Sequence, residues 1–228
     1  MFSDMETGKS WDFRGSQELL LSETYANEGY VIEDADFLFL DRMGNAIEAA
    51  FQEFLRDRNK KLTTLTNAHQ TVSYEESNDL RLHIMNKISE QTIFQSNYYN
   101  AAKKTIHELC GNELAMQKRP GLSVNLPNNY NDVLPIHADT WNGVSPFELN
   151  IWIPLVDCYD SMCLYILKRE KYNERLADSR GLLTLTSDEL FNELRQDLTW
   201  IPIKYGQLLA FDQSLPHGYS LNVEDHSH

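Results

Sequence analysis

Cations are scarce in this chain of 228 residues: Lys and Arg number 20 against 34 Asp and Glu, for a formal net charge of −14. A phosphate backbone is gripped mostly through Lys and Arg, so the shortage argues against nucleic acid and against an anionic membrane surface as partners. It does not say what the partner is, because net charge speaks to solubility and steering. Cysteine is scarce too. Cys110, Cys158 and Cys163 are an odd, scattered set with no CxxC pair, which argues against a disulfide scaffold and makes a reducing cytoplasm the default compartment. Long apolar runs are lacking: no window reaches the roughly eighteen residues of a membrane span, and the N-terminus MFSDMETGKSWDFRGSQ is polar, without an apolar signal core. Internal repeats and low-complexity linkers are missing as well.

What is present reads as one globular domain over residues 1–228. Its two halves differ in texture. Residues 1–118 read as a mostly helical scaffold. Leu40, Met43, Ile47, Ala50, Phe51, Phe54 and Leu55 recur at helical spacing, and the stretch from Ser77 to Leu114 continues that periodicity up to a stop near Gly111. Residues 119–228 are cut into short strands: GLSVNLP, VLPIHADT, FELNIWIPLVD, MCLYILKRE, WIPIKYGQLLAFDQ and HGYSLNV. One short helix interrupts them, opened by the capping-box pair Thr186 and Glu189. Runs of short strands after a helical stretch predict a mainly β core dressed with helices.

The residues that carry chemistry are His137-Ala138-Asp139 and the later His217. Residues i and i+2 of a strand point to the same side, so His137 and Asp139 reach one ion, and a neighbouring strand supplies the second imidazole. Two imidazoles and a carboxylate on one face of a metal leave the opposite positions open, as in non-haem Fe(II) oxygenases. The bare motif says little: about one H-x-[DE] is expected by chance at this composition, and one occurs. The surroundings decide.

Those surroundings are IHADTWNGVSPFELNIWIPLVD followed by KYGQLLAFDQSLPHG. HxD leads to a strand with Trp152 that runs into Pro154-Leu155-x-Asp157. Gly206 precedes an apolar strand, and Phe211 is followed by Pro216-His217-Gly218. In order and spacing this resembles the 2-oxoglutarate/Fe(II)-dependent oxygenases, most of all the phytanoyl-CoA hydroxylase-like branch and oxygenases encoded among bacterial surface-carbohydrate genes. NEGYVIEDA entering a helix is similar to the same branch. The resemblance implies a double-stranded β-helix, or jelly roll, over residues 119–228. It implies that His137, Asp139 and His217 hold Fe(II), that 2-oxoglutarate is the cosubstrate and O2 the oxidant, and that a small molecule is hydroxylated, with a carbohydrate-pathway metabolite as the guess from the branch. Halogenating relatives lack the carboxylate of Asp139, so hydroxylation is the expected outcome.

One departure stands out. The family places an Arg on the last core strand, after the distal His, to pair with the cosubstrate's far carboxylate. GYSLNVEDHSH follows His217 and contains neither Arg nor Lys. The last core strand is therefore expected to be missing, in a chain cut from a longer one, with an unpaired barrel edge that invites oligomer formation. The alternative is that another cation substitutes, with Lys168 and Lys204 as the candidates. Asn150 and Trp152 share one face of their strand and are candidate cosubstrate contacts, as is Asn125 on GLSVNLP. Thr140 and Trp141 either border the substrate mouth or form an ordinary loop. Tyr98 and Tyr99 read as packing residues of a helix, and His69, His83 and His107 as surface or packing residues. His226 and His228 read as a frayed terminus, and Cys158 and Cys163 as buried, inert thiols. Two other classes stay open: a cupin-like metal-dependent isomerase or hydrolase, and a non-catalytic carbohydrate-binding β-sandwich.

Overall fold

The computed structural model describes residues 16–176 and 184–228; the polar tail of residues 1–15 lies outside them. Three helices make a layer: α2 (Phe37–Asp57), α3 (Ser77–Ser89) and α4 (Thr92–Cys110). All seven residues of the apolar stripe from Leu40 to Leu55 are buried, because their spacing keeps them on one side of α2. The helix starts where the Asp36 carboxylate accepts a hydrogen bond from the backbone N–H of Leu38 at 3.1 Å, satisfying one of the unpaired donors of the first turn. Ile84 and Ile88 of α3, Phe94 of α4 and Leu126 close this cluster. Each fully buried side chain of this size contributes about 1.5–3 kcal/mol.

The strands form two antiparallel sheets. In the first, β1 (Tyr30–Asp34), β6 (Gln207–Asp212) and β3 (Leu149–Trp152) lie in that spatial order. In the second the order is β2 (Leu134–His137), β7 (His217–Tyr219), β4 (Leu164–Leu167) and β5 (Leu198–Ile201). Side chains alternate across each strand, and the burial follows. Leu208 and Ala210 of β6 face α1 (Ser16–Glu28), α2 and α4, together with Leu149 and Ile151 of β3. Leu209 and Phe211 turn the other way and meet Leu164 and Ile166 of β4, Ile201 of β5 and the Trp152 ring. The two sheets thus pack inner face to inner face. On the outer side of the second sheet, α6 (Ser187–Leu194) covers Ile136, Tyr165 and Leu167 with Leu190 and Leu194. Its start is the capping box of Thr186 and Glu189. The remaining helix, α5 (Arg169–Leu176), follows β4.

Four expectations are corrected. Among the described residues helix outweighs strand, so they are mixed α and β rather than mainly β; the two sheets stay open, in keeping with the expected unpaired edge. GLSVNLP joins no sheet among the described residues; Asn125 exchanges backbone hydrogen bonds with His228, at 2.5 and 3.0 Å, instead of joining a ladder. The stretch YVIED, read only as the entry to a helix, is strand β1, paired along its length with β6. Residues 226–228 are not frayed. Ser227 is buried, its N–H donates to the Thr66 carbonyl at 2.8 Å, and its hydroxyl accepts from the His69 N–H at 3.0 Å.

Candidate metal centre

His137 ends β2, and His217 opens β7 directly opposite it. Asp139 stands just past the strand, at the start of a single 3-10 turn, Asp139–Asn142, that stops at Gly143 with φ +84°. Ala138 between the two ligands keeps an extended backbone, φ −120° and ψ 136°, so the same-side geometry expected of a strand survives the change of element. The Asp139 N–H is tied to the Gln213 carbonyl at 3.0 Å.

One nitrogen of each imidazole is committed. Nδ1 of His137 lies 2.8 Å from the Pro135 carbonyl, and Nδ1 of His217 lies 2.8 Å from the Leu215 carbonyl. A carbonyl only accepts, so both Nδ1 atoms carry the proton and both Nε2 atoms present a bare lone pair when the rings are neutral. Those Nε2 atoms face the same carboxylate: His137 Nε2 is 3.3 Å from Asp139 Oδ1, and His217 Nε2 is 3.9 Å from Oδ2. Burial holds the His217 imidazole below its ordinary value, which keeps it neutral near pH 7. A neutral ring aimed by its lone pair at a carboxylate is an arrangement that a cation relieves. The donor atoms of His137, Asp139 and His217 lie within 4.8 Å of one another. Nitrogen, nitrogen and oxygen donors with both outer ring nitrogens anchored to carbonyls suit a catalytic first-row metal.

The three ligands line a cavity of about 1460 Å³ whose wall also takes in residues of α2, α3 and α4. Asn150 and Trp152 line it too. The Asn150 amide donates to Asp139 Oδ2 at 3.2 Å, while the Trp152 ring packs among the inner apolar side chains. Asn125 is buried behind the wall. Its side-chain oxygen accepts from His228 Nε2 at 2.8 Å, and its amide donates to the carbonyls of Val124 and Asp132, both at 3.1 Å. Lys168 pairs with Glu28 of α1 and lies over the Tyr30 ring. Lys204 is exposed. Among the described residues the Arg or Lys that lines the cavity is Arg81, its guanidinium donating to Asn78 Oδ1 at 2.9 and 3.2 Å. Trp141 borders a smaller cavity on the other side of His137. Tyr98 and Tyr99 both line the large cavity; the Tyr98 hydroxyl donates to the Ile151 carbonyl at 2.6 Å, and the Tyr99 hydroxyl lies 2.6 Å from His107 Nε2. Burial pushes the thiols of Cys158 and Cys163 up to about 12 and 11, which leaves them unreactive.

Three contributors escaped the sequence reading. The carbonyls of Pro135 and Leu215 carry no side-chain signal. Gln213, buried between the sheets' connecting turn and the loop after Asp139, donates from Nε2 to the Ser145 carbonyl at 2.7 Å. The pattern Asp212-x-Ser214 beside it is an Asx-turn signature that marks this turn in the sequence.

No family model and no curated protein matches the sequence. Among solved structures, the non-heme alpha ketoglutarate dependent carbocyclase SnoK from nogalamycin biosynthesis is 13% identical with a TM-score of 0.49; the match covers 94% of this chain and 81% of that one. HygX from Streptomyces hygroscopicus with nickel and 2-oxoglutarate bound is 10% identical with a TM-score of 0.44, over 94% and 83% of the two chains. The epimerase SnoN from nogalamycin biosynthesis is 14% identical with a TM-score of 0.43, over 93% and 79%.

Proposed function

We propose that the chain is a metal- and 2-oxoglutarate-dependent oxygenase that hydroxylates a small molecule, with Fe(II) held by His137, Asp139 and His217. The observation that supports it is the convergence of two bare imidazole nitrogens and one carboxylate on the wall of a large cavity. Three protein ligands leave the remaining positions of a six-coordinate metal open toward that cavity. Bound Fe(II) would activate O2, the oxidant, with two electrons from the oxidative decarboxylation of 2-oxoglutarate: one C–H would become C–OH while O2 and 2-oxoglutarate are consumed and succinate and CO2 are released. The protein's part is to orient and to exclude. The Pro135 and Leu215 carbonyls keep both imidazoles in the metal-binding tautomer, and Asn150 fixes the rotation of the Asp139 carboxylate. The two facing sheets fit an incomplete double-stranded β-helix seated on a helical scaffold.

The cavity wall also bears on the substrate. Much of it is apolar, through residues such as Ile84, Phe94, Met116, Leu122, Phe147 and Ile151. The substrate we propose therefore carries an apolar body, which this wall accommodates better than a bare carbohydrate. No helix among the described residues is long and apolar enough to cross a membrane, and the three free cysteines are in keeping with a reducing cytoplasm.

The engagement of Lys168 by Glu28 favours a second reading, a metal-dependent isomerase or hydrolase that needs no cosubstrate. Anaerobic reconstitution with Fe(II), followed by O2 uptake and succinate formation from 2-oxoglutarate, separates the two. Succinate that depends on Fe(II) supports the oxygenase. Metal binding without succinate supports the second reading, and absence of metal binding sinks both.

A further inference from the structure

We infer that Arg169 and Asp212 form a positioning pair for the metal ligands: their ion pair locks the Asp212–Leu215 turn, and that turn sets the backbone of Asp139 and the imidazole of His217. The inference rests on the proposal that the three ligands bind a cation.

The turn joins β6 to β7 and touches the site twice. Its Gln213 carbonyl accepts from the Asp139 N–H at 3.0 Å, and its Leu215 carbonyl accepts from His217 Nδ1 at 2.8 Å. Two ligands that lie far apart in the chain are thus referred to one short stretch of backbone. What holds that stretch is the Asp212 side chain. Its Oδ1 accepts from the Ser214 N–H at 2.8 Å and from the Ser214 hydroxyl at 2.6 Å, and the Leu215 N–H reaches the Asp212 carbonyl at 3.1 Å. An Asx turn is complete with those bonds. Here the second oxygen is also taken: the Arg169 guanidinium, from the first residue of α5, donates to Oδ2 at 2.6 Å.

The pair is largely withdrawn from water, with side-chain exposures of 30% for Arg169 and 12% for Asp212. Tyr25 of α1 and Tyr172 of α5 flank it; burial and then the Asp212 charge push both phenols up, so neither competes as an anion. A charge-assisted bond in such surroundings is short and directional, and removing one partner leaves the other charge buried. The turn is seated from below as well. The Asp212 N–H donates to the Gly29 carbonyl at 2.9 Å, and a Cβ on Gly29 would come within 2.1 Å of Leu215 Cδ1. Neither Arg169 nor Asp212 lines the cavity, so both act through other residues.

Co(II) titration of this chain tests this, by calorimetry and by the visible bands of the bound ion, alongside thermal melting of the metal-free protein. Arg169→Gln and Asp212→Asn are each expected to weaken Co(II) binding about 10- to 100-fold and to alter the bands. The double variant is expected to be no worse than the weaker single, and Arg169→Lys to recover much of the loss. Variants that melt earlier yet bind Co(II) within about twofold of wild type, with unchanged bands, overturn the inference and leave the pair a structural clamp. Should Asp212→Asn not fold, Arg169→Gln and Ser214→Ala decide on the same readouts. A wild-type chain that binds no Co(II) overturns the metal reading itself, and this inference with it.

Discussion

His137 and His217 are direct partners across the β2–β7 pair, with ring centroids 4.5 Å apart and planes tilted by 50°. Facing residues of neighbouring antiparallel strands have their side chains on one side of the sheet at close range. The candidate metal site is therefore a cross-strand pair completed by a carboxylate two residues on from His137, just past the end of β2. The Phe211 ring stands edge-on to His217 at 4.9 Å and keeps water from that side.

His137→Ala, Asp139→Ala and His217→Ala should each reduce Ni(II) affinity by more than about 100-fold, a larger effect than loss of a supporting residue. Folding should survive, because the apolar layers that hold the sheets together lie elsewhere in the strands. Calorimetric titration and far-ultraviolet circular dichroism check the two halves of this expectation. Unfolding of all three variants would mean that the residues are structural.

Asn150→Ala removes the donor that fixes Asp139 Oδ2. Metal affinity should fall about tenfold, with little change in melting temperature. If metal affinity were unchanged, the amide would be a bystander.

Gly29→Ala should destabilise the chain by about 2–4 kcal/mol in urea unfolding. The glycine has φ +84°, where an L side chain is strained, and the added Cβ would collide with Leu215. Retained stability would show that the Leu215 side chain yields freely.

Acid should destabilise the metal-free protein partly through His228. Burial lowers this imidazole from 6.5 to about 4. Between those values the unfolded chain binds the proton and the folded chain does not. The contribution is thus fully present above about pH 6.5 and is lost as the pH falls toward 4, by on the order of 3 kcal/mol. His217 is shifted in the same direction, also by burial first. Urea unfolding at pH 7 and pH 4.5 should show a smaller drop for His228→Gln than for wild type; equal drops would remove His228 from the account.

Much of this was readable from one dimension. The α2 stripe repeats at helical spacing, so its burial follows from periodicity. Thr186 and Glu189 are three apart, so their reciprocal cap follows from local geometry. His137 and Asp139 are two apart on extended backbone, so their shared side follows too. YVIED failed because its strand exists only through pairing with β6, 173 to 181 residues away along the register Tyr30↔Phe211 to Asp34↔Gln207, and such a partner leaves no local trace. GLSVNLP failed for the opposite reason: it has strand composition, but no ladder takes it up.

Residue types and short spacings, then, were sufficient to nominate two imidazoles and a carboxylate, because periodicity and hydrogen-bonding capacity are properties of neighbours in the chain. Only the folded arrangement decided that His217 would stand opposite His137, that Lys168 would be spent on Glu28, and that Arg169 would reach Asp212. Those are contacts between distant segments, and they are set by how the sheets and helices bury their apolar faces against one another.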